Sequence, residues 1–174
     1  MVKKRITYLT PQDYLNRVIE ADCLEIMKQL PDNSVDMCIT SPPYDNLRTY
    51  KGYSFPFDDI AKELYRIIKE GGVVVWVVND ATINGSETGT SFKQALKFKE
   101  IGFNLHDTMI FLKTNPIPQI YRKRYTNVFE YMFVLSKGTV KTHNPLTIPC
   151  MHAGLELKGK TNKNEGRPNR QTGK

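Results

Sequence analysis

The sequence predicts an α/β domain in which helices flank a parallel β-sheet. Stretches with strand and helix periodicity alternate along the chain with short connections, which is typical of repeated β-α-β units. One stretch, Val73 to Val78, is a continuous apolar run, as expected for a strand buried on both faces of a parallel sheet. A length of 174 residues with 40% hydrophobic residues indicates one domain with its own core.

The first elements are a strand, a helix and a second strand. Arg17–Asp22 is expected to form a short strand that ends in a carboxylate. Cys23–Leu30 has the apolar spacing of a short amphipathic helix, and Pro31–Ser34 is a strong turn signal. Val35–Thr40 is then predicted to be a strand that stops before the two prolines of Ser41-Pro42-Pro43-Tyr44, because proline donates no ladder hydrogen bond.

In the middle of the chain, the sequence pattern predicts a helix, the apolar strand and another helix. Asp58 and Asp59 suit a helix start, and apolar residues recur after them at helical spacing until Gly71 and Gly72, which we expect to end this helix. A further helix is predicted from Ser91 to about Ile101. Its expected apolar face is Phe92, Ala95 and Leu96.

Two more strands, Phe103–Lys113 and Phe129–Leu135, are predicted to follow, joined by a loop that contains Asn115–Arg124. Periodicity fades after Gly138. We therefore expect a catalytic region over residues 1–138 and a basic recognition or tail segment, in part disordered, over residues 139–174.

Charge and composition favour some classes of partner and compartment for this protein over others. The formal net charge is +7, and eight basic but only two acidic residues lie between Lys137 and Lys174, a balance that favours a polyanionic partner. No apolar run approaches the roughly 20 residues of a membrane span, and no signal peptide is visible. Three scattered cysteines predict neither a disulfide framework nor a zinc site. We expect a cytoplasmic protein without a metal.

The tetrapeptide Ser41-Pro42-Pro43-Tyr44 carries the clearest chemistry. An exocyclic amino group on a planar ring is a poor nucleophile, since its lone pair is conjugated into the ring. Acceptors on the amino hydrogens, here the Ser41 hydroxyl and the Pro42 carbonyl, would localise that lone pair for methylation, while Tyr44 offers a face for stacking. The alternative from the residues alone is a proline turn with a buried tyrosine.

The stretch Ala21–Tyr44 resembles the amino-methylating DNA methyltransferases of the β type, in which the catalytic motif precedes the cofactor motif. The likeness extends over about residues 17–138. It implies a partly complete Rossmann-like methyltransferase sheet, S-adenosylmethionine as cofactor, restriction-modification biology and a base flipped from double-stranded DNA. Since family members with serine before the prolines more often methylate cytosine N4, we favour that atom over adenine N6.

The resemblance assigns further site residues. Ser41 to Tyr44 match the catalytic motif, and Asp22 matches the acidic residue near the adenosine of the cofactor, although a helix cap is the alternative for it. We expect Asp22, Cys23, Asn79 and Asp80 to contact the cofactor. Asn115, Arg122, Lys123 and Arg124 are expected to contact DNA, with a rigid turn and a solvated loop as the alternatives.

One departure from the family concerns the glycine-rich cofactor loop, which has no match in these 174 residues. We therefore expect a fragment of a longer enzyme or a chain completed by a C-terminal half, and a homodimer is the other expected partner because the edge of Val35–Thr40 would be open. The competing function is an inactive fragment that binds nucleic acid.

Overall fold

A computed structural model describes residues 9–43, 55–118 and 123–145 of the chain. The helices are α1 (Pro11–Tyr14), α2 (Cys23–Met27), α3 (Phe57–Ile67) and α4 (Thr90–Ile101). The strands are β1 (Val35–Thr40), β2 (Ile68–Val78), β3 (Thr82–Ile83), β4 (Ser86–Glu87), β5 (Asn104–Leu112) and β6 (Phe129–Ser136). No helix in these ranges has the length and apolar character needed to cross a membrane.

Four strands form one sheet in the order β1-β2-β6-β5. β1 and β2 pair in parallel, whereas β6 is antiparallel to both of its neighbours. β1, β2 and β5 therefore run in one direction and β6 in the other. The α/β class is confirmed, but the expected parallel sheet is a mixed one, because the loop between β5 and β6 returns the chain as an antiparallel hairpin instead of a helical crossover.

The core lies between one face of this sheet and the helices α3 and α4. Trp76 of β2, Phe57 of α3 and Phe98 of α4 contact one another through their rings, with centroids 5.0–5.8 Å apart. Val74 and Leu135 are fully buried beside them. Burial of these large side chains, each contributing about 1.5–3 kcal/mol, fixes both helices on the same face.

The opposite face of the sheet is only partly covered. Along β2, buried Val74, Trp76 and Val78 alternate with half-buried valines. The neighbours of those valines on β1, Met37 and Ile39, are 49% and 66% exposed. The prediction that Val73–Val78 is buried on both faces is therefore wrong for every second residue.

The glycines expected to end α3 instead lie inside β2. Gly71 adopts a φ of +82°, and the pairing register between β1 and β2 shifts at this point, between Val35 and Met37. A Cβ on Gly72 would lie 2.7 Å from the carbonyl oxygen of Asp36. Gly72 is thus required by the close approach of β1 and Gly71 by its positive φ, and neither ends a helix.

The face predicted for α4 is also incorrect. Ala95 is buried as expected, but Phe92 and Leu96 are 49% and 59% exposed. The helix instead buries the polar residues Ser91 and Gln94, together with Phe98. These polar side chains can be buried because each has a hydrogen-bond partner, Asp80 for the Ser91 hydroxyl and Trp76 for the Gln94 amide.

Arg17–Asp22 does not form the predicted strand. The segment is irregular, and Val18 and Ile19 are 101% and 41% exposed. No described strand lies beside it to complete a ladder, and an isolated strand leaves its backbone groups unpaired. The other predicted elements are present with ends shifted by a few residues. Residues up to His143 form one compact unit, and the boundary at residue 138 stays a prediction.

Candidate active site and cleft

The tetrapeptide Ser41–Tyr44, which is predicted to be catalytic, begins where β1 ends. Thr40 is the register partner of Trp76 in the parallel β1–β2 pair, so the residues after both strands lie at the same carboxyl edge of the sheet. Ser41 is exposed there, Pro42 is buried and Pro43 is half-buried. The Pro42 ring therefore anchors the turn while the serine remains open to solvent. Tyr44 lies outside the described residues.

Asn79 follows β2 at this edge and is part of a polar network. Its amide exchanges hydrogen bonds with the Asn127 amide, with donor–acceptor distances of 3.3 and 3.5 Å. Asn79 Oδ1 also accepts from the backbone N–H of Asp80 at 2.9 Å. The predicted cofactor residue is thus engaged with the segment that leads into β6.

The Asp80 carboxylate organises the start of α4. It accepts hydrogen bonds from the backbone N–H of Ser91 at 2.9 Å, from the Ser91 hydroxyl, and from the Thr88 hydroxyl at 3.2 Å. Ser91 is completely buried. A charge-assisted acceptor for the N-terminal groups of a helix is stabilising, so the geometry gives Asp80 a structural function.

A cleft of about 790 Å³ opens at the same edge, between β2, the β3–β4 hairpin and the loop after β5. Its lining includes two of the predicted site residues for cofactor, Asn79 and Asp80, and two for DNA, Asn115 and Arg124. The structure therefore brings residues from distant parts of the sequence to one cavity. Tyr131 also lines it, and desolvation, with the charges of Asp80 and Glu87, raises the pKa of its hydroxyl, which stays protonated at neutral pH.

One wall of the cleft carries an ion pair. Lys113 Nζ lies 3.2 Å from Glu130 Oε1 and also donates to Asn127 Oδ1 at 3.2 Å. The side chains of Lys113 and Glu130 are 28% and 19% exposed, so water screens the pair less than it would at the surface. Asn127 thus connects this ion pair to Asn79. No pattern in the sequence around Asn127 marked it as a site residue.

Arg124 joins two walls of the cleft. Its guanidinium donates to the carbonyl oxygen of Gly85 at 2.8 Å and to Glu87 Oε1 at 3.3 Å, both in the β3–β4 hairpin. Lys123 is exposed with a φ of +51°, and Arg122 lies outside the described residues. The hairpin was not anticipated from the sequence, because two-residue strands have too little periodicity to detect.

Asp22 and Cys23 lie at the N-terminus of α2, and neither residue lines the cleft. Asp22 Oδ1 accepts from the backbone N–H groups of Leu24 and Glu25 at 2.9 and 3.2 Å, which is a helix cap. Partial burial, reinforced by the Asp22 charge, raises the pKa of the Cys23 thiol. The cap alternative for Asp22 is thus present in the structure, and its Oδ2 is not used in these two bonds.

The described residues form an α/β domain with a candidate site at the carboxyl edge of its sheet. The model of the DNA methylase family matches residues 35–172, which is most of the sequence. The chain therefore belongs to the N6/N4 family of DNA methylases.

Two curated relatives illustrate the similarity. The orphan methyltransferase M.BamHII of Bacillus amyloliquefaciens is 60% identical over 119 residues, which cover 68% of this chain and 44% of that protein. The type II methyltransferase M.HinfI of Haemophilus influenzae is 26% identical over 148 residues, covering 72% of this chain and 39% of that protein. The chain thus spans less than half the length of these relatives.

Solved structures share the fold. The cytosine-N4-specific PvuII DNA methyltransferase matches with a TM-score of 0.59 and 19% identity, over 69% of this chain and 48% of that chain. The M1.HpyAVI–SAM complex matches with a TM-score of 0.55 and 23% identity, over 76% and 60% of the two chains. At these identities the likeness is one of fold, and it confirms the predicted partial methyltransferase sheet.

Proposed function

We propose that this chain carries the catalytic part of a DNA methyltransferase that transfers a methyl group from S-adenosylmethionine to an exocyclic amino group of a flipped base in double-stranded DNA. The observation that carries the proposal is Ser41-Pro42-Pro43 at the carboxyl end of β1, beside the end of β2, in a chain of the DNA methylase family. Ligands of open α/β sheets bind at this edge.

The chemistry of the chain's own residues is positioning and electron redistribution. The Ser41 hydroxyl and the Pro42 carbonyl accept hydrogen bonds from the target amino group, which draws its nitrogen towards tetrahedral geometry and localises the lone pair. Buried Pro42 holds its carbonyl in a fixed orientation, because its ring locks φ. Tyr44 stacks on the base, a contact typically worth about 1–3 kcal/mol. Preorganised acceptors of this kind require no covalent intermediate.

When bound, S-adenosylmethionine supplies an electrophilic methyl group. Among the four predicted contact residues, Asp80 and Asn79 already have protein partners for their side chains, whereas Asp22 keeps one carboxylate oxygen outside its capping bonds. The described residues therefore fit the cofactor incompletely. We expect titration calorimetry of the 174-residue chain to show negligible S-adenosylmethionine binding. Micromolar affinity would contradict this expectation and would mean that Asp22 and its neighbours suffice.

Duplex DNA is the proposed partner. The chain is basic overall, and the cleft presents Lys113 and Arg124 together with the amide of Asn115. Exposed Lys123 lies beside the cleft residue Arg124 in sequence and can reach phosphates of the backbone without disturbing the cleft. The basic loop after β5 is thus the proposed surface for the duplex around the flipped base.

The target atom follows from the first residue of the tetrapeptide. With Ser41 in that position we propose cytosine N4 in preference to adenine N6. Mass spectrometry of nucleosides from DNA methylated by the active enzyme should detect N4-methylcytosine. Detection of N6-methyladenine alone would reverse the assignment while leaving the proposed chemistry intact.

A second candidate is a nucleic-acid-binding fragment that does not transfer methyl groups. It is favoured by the engagement of Asn79 and Asp80 in protein contacts. Incubation of the chain, supplemented with a C-terminal half that carries the glycine-rich cofactor loop, with DNA and radiolabelled S-adenosylmethionine separates the two candidates. Label in DNA supports the methyltransferase, and a gel shift of DNA without label supports the binding fragment.

A further inference from the structure

β5 is an edge strand of the sheet, and several of its exposed residues are large and apolar. β5 is the last strand of the sheet, and no described residue pairs with its outer side. Four consecutive residues on it, Met109 to Leu112, are large, apolar and 49–67% exposed. Natural sheets blunt such edges with charges, prolines or bulges, whereas the bulge of β5 lies before Asp107 and leaves this run unprotected.

The direction of each backbone group along this edge can be assigned. The N–H of Lys113 donates to the carbonyl oxygen of Val128 at 2.8 Å, so Lys113 is hydrogen-bonded to the segment leading into β6. In an antiparallel ladder such residues alternate with residues whose N–H and C=O point away. Because the register is continuous from Asp107 to Leu112, the groups of Thr108, Ile110 and Leu112 point to the outer side.

We propose that β5 pairs antiparallel with β5 of a second copy of this chain, with the two-fold axis at Ile110. With the axis at Ile110, residues whose backbone groups point outward face one another in the two copies. Ile110 faces Ile110 of the second copy, and Thr108 faces Leu112. The same register places Met109 opposite Phe111. It also sets Asp107 opposite Lys113, which keeps Glu130 of its own chain as a second carboxylate partner, so both ends of the paired segment join opposite charges on one face of the sheet.

The positions of Asp107 and Lys113 favour β5 over the other edge strand and favour the register centred on Ile110. A shift of the axis by one residue in either direction would place Asp107 opposite Phe111 or Lys113 opposite Met109, and each charge would then face an apolar side chain. The other edge strand, β1, offers no equivalent, because Asp36 is its one charged residue and a second copy of β1 would place no basic residue opposite it. The helix α4 packs against β5 and β6, and its exposed Phe92 contacts Tyr131, the register partner of Ile110.

The test is analytical ultracentrifugation of the 174-residue chain. The wild-type chain should form a dimer at micromolar concentration. Ile110→Lys should weaken dimerisation by at least about tenfold, since it places two ammonium groups at the axis. Ile83→Lys is the matched control, because Ile83 is a similarly exposed isoleucine in the β3–β4 hairpin, and it should leave the dimer unchanged.

Two further variants test the register. Asp107→Lys should weaken the dimer by setting like charges opposite each other, and combination with Lys113→Asp should restore it. Hydrogen exchange should show protection of the Ile110 amide in the wild-type dimer and loss of that protection in Ile110→Lys. A monomer at all concentrations, or a dimer that Met37→Lys on β1 dissociates and Ile110→Lys does not, would overturn the proposal.

Discussion

The indole Nε1–H of Trp76 donates a 2.8 Å hydrogen bond to Oε1 of Gln94, and both side chains are buried between the sheet and α4. Trp76 is on β2 and Gln94 is on α4. This bond therefore joins a strand that ends at the candidate site to the helix whose N-terminus Asp80 caps. It satisfies the polar group of the core's largest side chain. A polar residue on the inner face of α4 is therefore a structural requirement and not a packing defect.

Gln94→Leu should destabilise the chain by about 1–3 kcal/mol, because the buried indole N–H would lose its acceptor. Urea unfolding followed by the fluorescence of Trp76, the single tryptophan, measures this loss. Gln12→Leu on exposed α1 is the matched control and should change the free energy of unfolding by less than about 0.5 kcal/mol. Equal stability of Gln94→Leu and wild type would mean that the indole finds another partner.

Changes in the tetrapeptide should separate binding from chemistry. Tyr44→Ala should mainly weaken capture of the flipped base, by about 1–3 kcal/mol. Ser41→Ala removes one acceptor of the target amino group, and Pro42→Ala keeps the carbonyl but removes the ring that fixes its orientation. Both variants should therefore lower the methyl-transfer rate with DNA affinity nearly unchanged. Single-turnover kinetics and DNA titrations of the active enzyme make the comparison. A uniform loss of DNA affinity in all three variants would assign the segment a structural role.

Salt dependence should distinguish the basic residues of the β5–β6 loop. Neutralising Lys123, which is exposed, should reduce the slope of log affinity against log salt by about 0.9 if it contacts one phosphate. Neutralising Arg124 should have a smaller effect on the slope, because Glu87 and the Gly85 carbonyl already hold its guanidinium. Glu87→Gln is the complementary variant, and it should steepen the slope by freeing Arg124 for phosphate. Identical slopes for all variants would place the loop away from DNA.

The reactivity of the thiols should follow their environment. Burial raises the pKa of Cys38, and partial burial with the Asp22 charge raises that of Cys23. In a Cys150→Ser background, alkylation by iodoacetamide should therefore rise at higher pH than for an unfolded cysteine, whose pKa is about 8.5. Cys23 should react before Cys38, because it is the more exposed of the two.

The same shifts have a consequence for stability. In the pH range above the unfolded pKa, the unfolded thiols bind fewer protons than the folded ones, so the free energy of unfolding should fall as pH rises. For the reactivity prediction, alkylation in urea provides the control, since both cysteines should react at the same rate once the chain is unfolded. Native Cys38 reacting at that unfolded rate would show that the thiol is not protected by burial.

Local sequence determined those elements whose signals are strong and self-contained. The apolar run of β2, the periodicity of α3 and the two prolines that end β1 each identify an element, because backbone sterics and hydrophobic spacing act within a few residues. The resemblance of Ala21–Tyr44 to the DNA methyltransferases was likewise present in the sequence, and the family match confirms it.

Tertiary structure decided the features that depend on distant partners. Ser91 and Gln94 face the core only because Asp80 and Trp76 satisfy them, and no local pattern records those partners. Arg17–Asp22 has the composition of a strand, but a strand needs a neighbour for its backbone hydrogen bonds, and none of the described strands lies beside it. Likewise, Asn79, Asn127 and Arg124 meet at one cleft because β6 returns antiparallel beside β2, a pairing whose free energy comes from contacts across the sheet and not from any residue's own preference.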